Sequence, residues 1–112
     1  MAPLLSAGSA KRIAVAHLDS RQALIALTVE QAGASDEIQV PVRSIAASAV
    51  HFGSAALVIG HSHPRGDPTP SAADIESTRA LAAALKPLGI RLFDHLIFAA
   101  GSWRSFRSDG LL

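Results

Sequence analysis

The chain has 112 residues, enough for one hydrophobic core and too few for two ordinary domains. With 49% hydrophobic and 17% charged residues it is composed like a globular protein, and its net charge of +1 comes from Lys and Arg spread along the chain, with no basic run to bind nucleic acid. The absence of cysteine excludes disulfides, thiolate nucleophiles and cysteine-ligated zinc.

Residues 1–10 are small and include Pro3 and Gly8, which reads as a flexible leader ahead of a domain spanning 11–112. The opening string MAPLLSAGSAKR has no basic group before its apolar piece, unlike a signal peptide. No apolar stretch reaches the roughly 18 residues of a spanning helix, so a cytoplasmic protein is expected.

Lys11 to Leu18 and Gln22 to Val29 read as two strands of a hairpin around Asp19, Ser20 and Arg21. Both are apolar on two faces in places, which suits strands covered on both sides. Gln31 to Val40 reads as a loop ending in a short extended piece. Val42 to Phe52 carries Ile45, Ala46, Ala49 and Val50 at helical spacing, with Ser44 or a neighbour near its start and Gly53 past its end. Ala55 to Gly60 is a buried strand. Ser71 to Leu85 is the strongest helix, with Ile75, Thr78, Leu81, Ala82 and Leu85 on one face and Pro87 and Gly89 as its stop. Ile90 to Ala99 and Trp103 to Arg107 read as closing strands, with Trp103 in the core. The order ββαβαββ describes an α/β (α+β) chain, a mixed sheet flanked by helices.

The chemistry concentrates in AALVIGHSHPRGDPTPSAAD, residues 55–74. His61 and His63, two apart at a strand end, face one way. A loop rich in Pro and Gly turns the chain back, and Asp74 can then supply a third ligand. Two histidines and a carboxylate, with a water in the fourth position, make an open zinc site of the catalytic type. The same Ser71 and Asp74 also read as an S-x-x-D capping box, and the two readings are compatible, because the helix dipole favours an ionised acid in the first turn. His95 reads as a hydrogen-bonded structural histidine, and His17 and His51 as surface or core residues.

The pattern His61-x-His63-Pro64, then Ser71-x-x-Asp74, resembles that of the JAMM metalloproteases, whose domain is called JAB or MPN. The longer string HSHPRGDPTPSAADIESTR, with Leu88-Gly89-Ile90, Asp94-His95-Leu96-Ile97, Ser105-Phe106-Arg107 and Gly110-Leu111-Leu112, resembles the RadC branch. The resemblance implies a JAB/MPN fold related to cytidine deaminases, and Zn2+ held by His61, His63 and Asp74. It also implies a metallohydrolase acting on peptide or isopeptide bonds through a zinc-activated water, with Ser71 donating to the oxyanion.

In that family a glutamate on an early strand is the base, and Lys11 or Arg12 stands at its place here. Other acids considered for the role are Glu30, the candidate base at the end of the second strand, Glu37, and Asp67 in the loop. The alternatives are a non-catalytic metal-binding JAB domain that works as a protein interaction module, and a DNA-repair partner suggested by the family's name alone. A deaminase is excluded by the lack of cysteine, and H-E-x-x-H proteases by the lack of that motif.

Overall fold

The computed structural model describes residues 12–31, 40–63 and 67–112. The expected leader, Lys11, Glu37 and most of the loop between Gln31 and Val40 lie outside the described residues. Strand β1 is Arg12–Leu18, β2 Leu24–Gln31, helix α1 Val42–Phe52, β3 Ala56–Ser62, α2 Ala72–Leu85, β4 Arg91–Ala99 and β5 Ser102–Ser105. A 3-10 turn, Lys86–Leu88, follows α2. The expected order is therefore the observed one.

One sheet runs β2-β1-β3-β4-β5. β1 pairs antiparallel with both β2 and β3, β3 runs parallel to β4, and β4 is antiparallel to β5. A parallel pair needs a crossover, and α2 supplies it. This one connection fixes the site: it carries the chain from the end of β3 through the loop to the start of α2, beside the strand it has just left.

Local chemistry sets the element ends. Oδ1 of Asp19 accepts the N–H groups of Arg21 at 2.8 Å and Ala23 at 2.9 Å, which holds the hairpin turn through Ala23 and starts β2 at Leu24, not Gln22. Helix α1 begins after Pro41 with no side-chain cap, so Ser44 is not its cap. It ends at Gly53, whose φ of 66° is left-handed backbone that glycine adopts at no steric cost.

Alternation assigns the sheet faces. Ile13 and Val15 of β1, with Leu57 and Ile59 of β3, turn inward and pack against Ile45 and Ala49 of α1 and Leu81 and Leu85 of α2. β2 is a one-sided edge strand, not covered on both faces as its composition suggests: Ile25, Leu27 and Val29 are 42%, 44% and 43% exposed. Trp103, expected in the core, is 61% exposed on the opposite edge, whereas Phe106 is 1% exposed. Among the described residues no helix is long and apolar enough to cross a membrane.

Candidate metal centre

The inward rows of the elements change from apolar to polar at one end of the core. Along β3 the row Leu57, Ile59, His61 runs from core to site, and all three are fully buried. The buried stripe of α2 is Asp74, Thr78, Leu81 and Leu85, so Asp74, not Ile75, leads it toward the site. His95 of β4 pairs with Ile59 across the parallel ladder and is fully buried beside His61.

Ser71 caps α2. Its Oγ accepts the Asp74 N–H at 3.0 Å, and Asp74 Oδ2 accepts the Ser71 N–H at 2.8 Å, a reciprocal capping box. The box aims the carboxylate of Asp74, 3% exposed, at the two histidines. Nε2 of His63 lies 3.1 Å from Asp74 Oδ2, and Nε2 of His61 lies 3.6 Å from Asp74 Oδ1. One donor atom from each of His61, His63 and Asp74 lies within 4.8 Å of the other two.

Proton placement shows what this cluster lacks. His63 Nδ1 is 2.9 Å from the main-chain oxygen of Asp67, which can only accept, so Nδ1 carries the proton. In the neutral ring Nε2 is then a bare lone pair facing a carboxylate oxygen. His61 Nε2 is buried and has no hydrogen-bond partner. His61 Nε2, His63 Nε2 and the Asp74 carboxylate thus converge on one point, and with both rings neutral they offer two lone pairs and a negative charge to a cation. Burial, the largest cause, lowers the pKa of His61 to about 4; Asp74 opposes the shift and His63 adds to it. The ring is therefore neutral near pH 7, the form that ligates a metal. The donor set of two imidazoles and one carboxylate fits zinc.

Behind His61 a second line of groups continues. Its Nδ1 lies 2.6 Å from His95 Nε2, and His95 Nδ1 lies 2.7 Å from Thr78 Oγ1. Phe106 stacks on the His95 ring with centroids 4.5 Å apart and planes at 19°. His95 is hydrogen-bonded, as expected, but its partner is a ligand candidate. Thr78, expected as a core-face residue, is the end of this line. Neither link is visible in local spacing.

The other acids are placed differently. Glu30 sits on β2, with β1 between it and β3, and it pairs with Ile13, so it shares the inward face with His61. Its carboxylate accepts from Ser44 at 2.8 Å and Ser48 at 3.5 Å on α1. Asp67 Oδ1 accepts from the Thr69 N–H at 3.0 Å and hydroxyl at 2.7 Å, and these bonds lower its pKa. Arg12 opens β1 opposite Gln31, its Nε buried without a hydrogen-bond partner.

His17 lies apart from the cluster, where β1 pairs with Leu57, and bonds Ser54 at 2.9 Å and Thr28 at 3.0 Å.

The model of the RadC-like JAB domain matches residues 1–111. A UPF0758 protein of Ruegeria pomeroyi is 40% identical over 98 residues, 88% of this chain and 44% of that protein. A UPF0758 protein of Rhodobacter capsulatus is 41% identical over 98 residues, 88% of this chain and 46% of its own length. The chain thus spans about half the length of these curated relatives.

Proposed function

The chain belongs to the RadC-like JAB domains, and from that premise we propose that His61, His63 and Asp74 form a zinc site of the metallohydrolase type, directed at a peptide or isopeptide bond. The observation that carries the reading is the buried, unpartnered Nε2 of His61 facing the Asp74 carboxylate beside His63. A bound zinc ion supplies Lewis acidity, polarising a carbonyl and acidifying a water.

The chain's own groups divide the remaining work. His61 and His63 each offer one lone pair, and Asp74 brings the negative charge that makes the trio selective for a cation. The oxygen of Ser71 accepts from the Asp74 N–H, which orients the hydroxyl and leaves its proton for donation to an oxyanion. Glu30 is the candidate proton acceptor, on the same sheet face as His61. General acid–base assistance of this kind contributes about 10² to 10⁴-fold.

A second reading is a metal-binding domain without hydrolytic activity that serves as an interaction module. The hydrogen bonds that tie Glu30 to Ser44 and Ser48 favour it, as does Lys11 or Arg12 at the place of the early glutamate. Calorimetric zinc titration combined with a hydrolysis assay on a panel of peptide and isopeptide substrates separates the two. The first reading expects one zinc per chain and hydrolysis that disappears in His61→Ala, Asp74→Asn and Glu30→Gln. Zinc binding with no hydrolysis across the panel supports the second, and no zinc binding removes both.

A further inference from the structure

The line from His61 through His95 to Thr78 is built from groups that each have a choice of proton position. A neutral imidazole donates from one nitrogen and accepts at the other, and a threonine hydroxyl can do either. Once the direction of one bond is set, the others follow. If Thr78 accepts, His95 carries its proton on Nδ1, its Nε2 accepts from His61 Nδ1, and His61 Nε2 is left as a lone pair. If the line runs the other way, His61 Nε2 carries a proton toward Asp74 Oδ1, 3.6 Å away, too far for a good hydrogen bond.

From this geometry we infer that His95 and Thr78 are positioning residues of the metal centre, which lock His61 in the Nδ1–H tautomer and so present its Nε2 lone pair to the ion. The inference rests on the zinc reading above. Three observations carry it. The separations of 2.6 Å and 2.7 Å put both pairs within hydrogen-bonding reach, and His61, His95 and Thr78 are all fully buried, so no water competes for these atoms. The His95 ring is held in plane by Phe106, which limits its rotation. Finally, Thr78 stands one turn after Asp74 on the buried face of α2, so one helix sets both a ligand and the far end of the line. Groups that hydrogen-bond the second nitrogen of a ligating histidine fix its tautomer and orientation, and their loss typically costs about 10- to 100-fold in metal affinity.

The test uses long-range proton–nitrogen correlation spectra of the whole chain, metal-free and labelled with 15N-histidine, together with zinc affinity measured against a competing chelator. Metal-free wild type is expected to show His61 and His95 both protonated on Nδ1. Thr78→Val removes the acceptor while nearly preserving shape, and is expected to mix the His61 tautomers and weaken zinc binding about 10- to 100-fold. Thr78→Ser keeps the hydroxyl and is expected to restore both. A wild-type His61 with its proton on Nε2 overturns the inference, as does a Thr78→Val protein with unchanged tautomers and affinity, or equal losses in the Val and Ser variants. If wild type itself binds no zinc, the metal reading fails and the positioning role fails with it; wild-type binding that Thr78→Val leaves intact refutes the positioning role alone.

Discussion

Nε2 of His63 faces Oδ2 of Asp74 at 3.1 Å while the other nitrogen of the same ring donates to the Asp67 carbonyl. Both Nε2 atoms thus converge on one carboxylate, that of His63 from the exposed side and that of His61 from the buried side. The sequence brings these atoms together with two local devices, a strand end and a helix cap, and one crossover.

Zinc that binds the folded trio stabilises the fold by mass action, by about 2.7 kcal/mol when free zinc is 100 times the dissociation constant. Chemical denaturation with and without zinc is expected to show this gain in wild type and to lose it in His61→Ala. An equal zinc-dependent gain in the variant places the ion elsewhere.

Asp74 caps α2 and is a proposed metal ligand, and Asp74→Asn separates the two roles. The amide oxygen can still accept the Ser71 N–H, so stability without metal is expected to fall by only about 1 kcal/mol or less. Zinc affinity is expected to fall far more, because the trio loses its negative charge. Denaturation midpoints set beside chelator competition check this, and equal modest losses in both count against a ligand role.

Ser71→Ala removes the hydroxyl that accepts the Asp74 N–H at 3.0 Å. Loss of a helix N-cap costs about 1 kcal/mol, within a range of roughly 0.5 to 2. The variant is expected to unfold at lower denaturant and still bind zinc, with any hydrolytic rate reduced through the lost oxyanion donor. A variant as stable as wild type contradicts the capping box.

Acid is expected to destabilise the metal-free protein well above the carboxylate range. Burial lowers the pKa of His17, His61 and His95 in the folded state. The unfolded chain therefore binds more protons than the folded one once pH falls below about 6.5, so stability is lost in that direction. For His61 the window runs from about 6.5 down to about 4, worth on the order of 3 kcal/mol. Urea unfolding at pH 7, 6 and 5 tests the sign, and stability that is flat or rises toward pH 5 contradicts it.

What could be read from the sequence follows from how local each signal is. His61 and His63 declare themselves by strand alternation, and Ser71 and Asp74 by a capping pattern within four residues, so these ligand candidates are legible before any fold is known. His95 and Thr78 are not, because their link to His61 exists only through the parallel pairing of β3 with β4 and the rotation of α2. The α2 stripe misleads by one residue at its start, since Ile75 has the apolar side chain and Asp74 has the inward direction. Trp103 misleads because size suggests burial, whereas β5 is a sheet edge that leaves it exposed. β2 misleads for the same reason: composition records what a strand carries, not whether a layer covers it.

X-ray absorption at the zinc edge of the loaded protein tests the central claim most directly. The account predicts a shell of nitrogen and oxygen neighbours at about 2.0 to 2.1 Å, with the outer scattering of two imidazoles and no sulfur. In His61→Ala that outer scattering should fall to one imidazole or the metal be lost. Zinc that is not retained by wild type, or a shell without imidazole scattering, contradicts the account.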